Sequence, residues 1–163
     1  MSTTSTLSLL VRARTALDAP YSGNGVSQLA YDAEWTSGTG DNQADLSAQQ
    51  VVTVAGSGNV TFDLRAMTDA NGDAVNGAEL AALLIEVPTT SSGTVSVERA
   101  VSNGAPILSG STDSVDLPAG GMLLLIYPED GGPALSASAK DLRLVNAGGS
   151  DVDVTITSLQ RSA

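Results

Sequence analysis

Hydrophobic and polar residues alternate with a period of two along much of this chain. Val60, Phe62 and Leu64 alternate with Thr61 and Asp63. Val95, Val97 and Val101 follow the same rule, with Ser96 and Glu98 on the other face. Val152, Val154 and Ile156 alternate with Asp153, Thr155 and Thr157. Alternation in Val-, Ile- and Thr-rich segments predicts half-buried strands. Two runs, residues 80–87 and 122–127, are apolar at nearly every position and predict central strands covered on both faces. Turn-forming clusters separate these segments at 70–73, 102–104, 117–121, 129–133 and 147–150, each containing Gly beside Asn, Asp, Ser or Pro. Helix formers gather only at residues 76–84, where the sequence predicts one short helical turn over 76–80. The segments 56–64 and 110–117 align only across a gap and do not make a repeat.

The first 48 residues differ. A polar lead (2–6) precedes a candidate strand that puts Leu7, Leu9, Val11 and Ala13 on one face. Residues 21–48 are rich in Gly, Ser, Asn, Asp and Gln, yet hold Tyr21, Tyr31 and the single Trp, Trp35. That composition predicts an Ω-like loop or an arm that orders against a neighbour. The expected architecture is all-β: an antiparallel β-sandwich of jelly-roll type in one domain, with an extended N-terminal arm. Residues 1–48 form the arm and long loop, and 49–163 the sandwich core. Leu7, Leu9, Val11, Tyr21, Tyr31 and Trp35 are the expected interface residues, being apolar groups in a segment too polar to be all core.

Composition narrows the chemistry. The 163 residues suit a single domain that buries about 70% of its unfolded surface. There is no Cys and no His, which removes disulfides, thiolate zinc sites, Cys nucleophiles, Ser-His-Asp triads and His-ligated metals. With 18 Asp and Glu against 7 Lys and Arg, the net charge is −11. Phosphate affinity needs clustered cations, and only Arg12 and Arg14 lie close together, so nucleic-acid and membrane-surface roles are not expected. No run reaches the roughly 18 apolar residues of a membrane span. The apolar stretch at 7–11 has its charges after it rather than before, unlike a signal peptide. The chain is therefore expected to be made and folded in a cytoplasm.

Each candidate for chemistry has a plainer reading. Asp69, Asn71 and Asp73 crowd one turn around Gly72, and calcium takes oxygen ligands from such loops. They are weak metal candidates, because Gly72 is misplaced for an EF-hand and Leu80 stands where its bidentate Glu belongs. A solvated turn is the simpler expectation there, and likewise for Asp41, Asn42 and Asp45. Glycoside hydrolysis needs two carboxylates facing one cleft. Glu34, beside Trp35, and Glu86, between Ile85 and Val87, are the candidates, but an outward-facing Glu86 is simpler. The Gly-rich segments lack the Lys-Ser/Thr of a phosphate loop, and Lys140 is the only Lys available to activate a hydroxyl. No catalytic residue, cofactor or firm metal site is expected.

One resemblance rests on an ordered set of segments. Gly-Thr-Gly-Asp-Asn-Gln-Ala-Asp (38–45) is followed by a strand ending Phe62-Asp63-Leu64 and by Thr68-Asp69-Ala70-Asn71-Gly72. An apolar strand (80–87), Leu117-Pro118-Ala119-Gly120-Gly121, a second apolar strand with Tyr127-Pro128, and Leu142-Arg143-Leu144-Val145-Asn146 complete it. Over residues 36–160 the chain resembles small β-sandwich structural proteins of tailed-bacteriophage virions, most closely head decoration (cement) proteins. The resemblance implies a non-enzymatic protein on the head surface. It implies the major capsid protein and other copies of itself, as a homotrimer, for partners. It supplies no catalytic residues. Three other classes fit less well: a tail or fibre component binding host glycans through 21–48 and 128–140, a carboxylate-only glycosidase or lyase, and a cellular surface-layer or adhesin domain.

Overall fold

The alternating segments pair as antiparallel strands, as their period requires. A computed structural model of the chain describes residues 4–16, 24–110, 113–129 and 131–162, with side chains from Ala30 onward and at Thr6 and Ser8. Twelve strands are present: β1 (Thr4–Ala16), β2 (Asn24–Thr36), β3 (Leu46–Val54), β4 (Asn59–Asp63), β5 (Met67–Thr68), β6 (Ala74–Val75), β7 (Glu79–Glu86), β8 (Val95–Arg99), β9 (Ser114–Leu117), β10 (Met122–Ile126), β11 (Asp141–Asn146) and β12 (Val152–Arg161). Among the described residues there is no helix, and the fold is all-β and antiparallel.

Eight strands make two four-stranded sheets, ordered β10-β7-β12-β3 and β4-β11-β8-β9. Their facing sides share one core. Leu83, Ile85, Val154 and Ile156 from the first sheet meet Phe62, Val97, Leu142 and Leu144 from the second. The strict alternation of β11 and β12 follows from this arrangement, since every second residue enters the core. β5 and β6 form a small ribbon, and β1 and β2 a long hairpin.

Several expectations change. Residues 21–48 are not a loop throughout, because 24–36 is a strand paired along its whole length with 4–16. The core begins at Leu46 rather than at 49, since β3 runs across that boundary. The helical turn over 76–80 is absent. β7 starts at Glu79 and is paired on one side to β12 and on the other to β10, and that ladder overrides the local helix formers. β7 is a central strand as expected, between β10 and β12, but its outer-face Leu84 and Glu86 are half-buried rather than covered, and β10 is an edge strand with Met122 58% exposed. Val101 lies beyond the end of β8 and is exposed, outside the alternation of Val95 and Val97.

Candidate functional site

The hairpin is joined to the sandwich at one place. Strand pairing sets Leu7 opposite Ala33, Leu9 opposite Tyr31 and Val11 opposite Leu29. These positions share one face of the hairpin, with Ser5 and Trp35 at its base, because alternate residues of paired strands lie on the same side. The opposite face carries Thr6 with Glu34, Ser8 with Asp32, and Arg12 with Gln28. At the base, Trp35 is 1% exposed and packs with Ala44, Ala81, Ala82, Ile126 and Leu159. Its Nε1 has no hydrogen-bond partner, so apolar contact alone holds the ring.

The loop after Trp35 is clasped by the end of β12. Thr36 N donates to Asn42 O at 3.0 Å, Ala44 N to Thr36 O at 2.9 Å, and Asn42 N to Pro128 O at 2.7 Å. The Arg161 side chain, 1% exposed, ties three segments together. Its Nε donates to Gln43 O at 2.8 Å, and its Nη2 to Tyr127 O at 2.9 Å and Pro128 O at 3.0 Å. Its Nη1 pairs with Glu79 Oε1, which also accepts from Gly132 N at 2.9 Å. Ser162 adds two donations to Asp45, from N at 2.8 Å and from Oγ at 2.5 Å. Gly77 permits this closure, since a Cβ there would lie 2.5 Å from Gln160 Oε1 and 3.1 Å from Arg161 O. A planar, five-donor cation suits a site that offers carbonyl oxygens from several directions.

Trp35 covers only one end of the outer face of the β10-β7-β12-β3 sheet. Register continues that face through Leu84 and Leu124 to Glu86, Met122 and Thr155. Leu84 and Leu124 are half-buried, and on β3 Val51 is 58% exposed. At the far end lies a shallow groove of ≈ 330 Å³ bounded by Glu86, Pro88, Gly121, Met122 and Asp153. The groove sets apolar Pro88 and Met122 beside the carboxylates of Glu86 and Asp153.

The other sequence candidates are dispersed. Trp35, expected as a partner contact, is an internal anchor, because its ring fills the space over Ala81 and Ala82. Tyr31 is exposed at 38%, while Tyr21 lies outside the described residues. Leu7, Leu9 and Val11 lie in β1 at the register positions given above. Glu34 is exposed on the hairpin, and Glu86 is half-buried on the outer sheet face, as the simpler reading held. Asp69 is consumed by its own turn. Its Oδ1 accepts Asn71 N at 2.8 Å and Asp73 N at 2.9 Å, and Oδ2 accepts Asn71 Nδ2 at 3.2 Å. The Asp73 backbone donor, aided by the Asn71 and Gly72 donors, holds the Asp69 carboxyl below its ordinary value against the opposing effect of desolvation. Gly72, at φ +88°, closes this turn. Among the described residues no three acidic side chains converge on one point that could hold a metal ion. Sequence reasoning missed the Arg161 clasp, whose partners are mostly backbone carbonyls that leave no mark in a sequence.

No protein-family model matches this chain, and no curated protein matches it. Among solved structures it is similar to a de novo designed double-stranded β-helix determined by solution NMR. That likeness has 13% identity and a TM-score of 0.37, covering 68% of this chain and 96% of the other. It is also similar to PirA, seen in a crystal structure, with 14% identity and a TM-score of 0.39, covering 68% of this chain and 93% of PirA.

Proposed function

We propose that this chain is a non-enzymatic structural component of a tailed-phage virion, a decoration protein that stabilises the head by contacts with the major capsid protein. The observation that carries the reading is the β1–β2 hairpin. Its strands are 13 residues each and span roughly 40 Å. Beyond its base it pairs with no third strand among the described residues. A two-stranded hairpin alone is marginal in water, so this one is suited to completion by another surface. The total exposed surface supports this. It is 8923 Å² for 16.3 kDa, against about 7,500 Å² for a compact monomer of that mass.

Other features support the same reading. The two sheet orders place early and late strands side by side in each layer, which fits two interlocked Greek keys and so a jelly roll. Such a core is one continuous apolar layer between two sheets. Its acidity suits a basic shell surface. The exposed Glu34 and the inward-turned Trp35 give no cleft for paired carboxylates, so hydrolysis draws no support. The trimeric state and the head location rest on the sequence resemblance. The test is cosedimentation of the purified chain with undecorated heads of the phage that encodes it, followed by gold labelling of whole particles. Saturable binding with label on the head is expected. Failure to bind, or label confined to the tail, would overturn the proposal.

A further inference from the structure

The outer face of the β10-β7-β12-β3 sheet carries an apolar stretch on β7 and β10, and the register of the hairpin puts apolar Leu7, Leu9, Val11 and Leu29 at positions of one face. They adjoin at Trp35, which already carries the hairpin's face onto the first part of the sheet's face. Past Trp35 the two part company. Tyr31 is exposed on the hairpin's Trp35 face, and Met122 and Val51 are exposed on the sheet. The chain's own hairpin therefore leaves most of its own sheet face bare.

We infer that this sheet face is a self-association surface, and that its occupant is the β1–β2 hairpin of a second copy of the chain. This deepens the assembly reading above, on which it rests, by naming a contact between copies in addition to any contact with a shell.

Three observations select this occupant. The first is pattern. Positions Leu7, Leu9, Val11 and Leu29 share one hairpin face, and Leu84, Leu124 and Met122 share one sheet face. A sheet-on-sheet contact between them would give the hairpin the second layer that it lacks. The second is charge. Residues 37–163 hold 5 of the chain's cations and 15 of its anions, a net of −10. The two hairpin strands hold Arg12, Arg14, Asp32 and Glu34, a net of zero. Two bodies of −10 repel each other, whereas hairpin against body does not. The third is area. The surface above that of a compact monomer is roughly 1,400 Å², more than the roughly 800 Å² that each partner of a specific interface buries. A contact from hairpin to face runs from one copy to the next, and closes by reciprocal exchange or as a ring.

Directionality makes the inference testable with two variants. The first, Leu9→Asp with Val11→Asp, spoils the hairpin and keeps the sheet face. The second, Met122→Lys with Leu124→Lys, spoils the face and keeps the hairpin. Met122 and Leu124 lie outside the core shared by the two sheets, and Leu9 and Val11 belong to the β1–β2 hairpin. Sedimentation velocity of the full-length wild type is expected to give a multimer, and each variant alone a monomer. An equimolar mixture is expected to restore a one-to-one pair, because the intact hairpin of one variant meets the intact face of the other. A monomeric wild type overturns the inference, as does either variant keeping the wild-type mass, or a mixture that stays monomeric. Circular dichroism of each variant separates lost association from lost fold. If a variant is unfolded, Leu9→Ser and Met122→Ser replace the pairs under the same criteria. Head binding by a monomeric protein would leave the decoration reading standing while removing this one.

Discussion

The two sheets of the sandwich differ on their outer faces. On β4-β11-β8-β9 the outward residues are polar and matched to one another. Arg143 Nη1 donates to Glu98 Oε2 at 2.6 Å across neighbouring strands, and Ser96 Oγ donates to Asp116 Oδ1 at 2.6 Å. Lys140 pairs with Asp63 at the edge of the same sheet. On β10-β7-β12-β3 the β12 and β3 half is likewise matched, with Gln49 Nε2 donating to Thr157 Oγ1 at 3.0 Å and Thr53 Oγ1 to Asp153 Oδ1 at 2.6 Å, but the β7 and β10 half carries Leu84, Leu124 and Met122, and its covered part lies under Trp35. A face whose charges are paired locally is complete in water. An apolar face is complete only when something lies on it. The second sheet thus keeps an apolar half on its outer face, and the hairpin is attached at that face through Trp35.

The comparison breaks most severely at the hairpin's base. Arg161→Ala leaves Glu79 without its cation and frees the carbonyls of Gln43, Tyr127 and Pro128. Loss of one partner from a buried pair costs about 3–5 kcal/mol, so urea unfolding should show a destabilisation of that order. Protease cleavage should also appear within residues 37–45. On the opposite sheet, Asn146 donates through Nδ2 to Val54 O, Ala55 O and Ser150 O, and accepts Gly148 N at 2.8 Å. Asn146→Ala strands those groups, and a loss of about 1–3 kcal/mol is expected by the same measurement, with no change in solution mass.

Arg143→Ala sharpens the contrast by its smallness. The pair with Glu98 is partly exposed, so the loss should be at most about 1 kcal/mol, and self-association should be unaffected. The smallest effects are those of pH. Asp69 has its folded pKa lowered, so its turn contributes stability at pH values above the ordinary 3.8, and that contribution is lost as pH falls through the folded value. Lys140 has its pKa raised, chiefly by its hydrogen bond to Asp63, so its contribution is full below 10.5 and is lost as pH rises through the higher folded value. Thermal scans of Asp69→Ala and Lys140→Met should flatten the acid and the alkaline limb respectively, each leaving the other limb unchanged.

Much of the sandwich was legible because period-two alternation is imposed by the same pleat that builds a half-buried strand. β4, β8, β11 and β12 all carry it. The place of residues 122–126 was not legible. An apolar run states that a strand avoids water but not how many neighbours it has, and β10 turned out to have only β7. The hairpin's second strand was hidden by its composition, since Gly25, Ser27, Gln28, Asp32 and Glu34 read as loop until pairing with β1 sets them in register. Trp35 was noticed, but as a partner contact. Whether an aromatic serves inside or outside depends on what lies above Ala81 and Ala82, which are 46 and 47 residues away in the chain.

The most direct test of the claim that this chain works by assembly through its hairpin is its mass in solution. Light scattering should be run on the full chain and on the chain without residues 1–33, which keeps Trp35. The account predicts a mass at least twice the 16.3 kDa of one chain for the full-length protein and a folded monomer for the shortened one. The same degree of association in both, whether monomeric or multimeric, would contradict it.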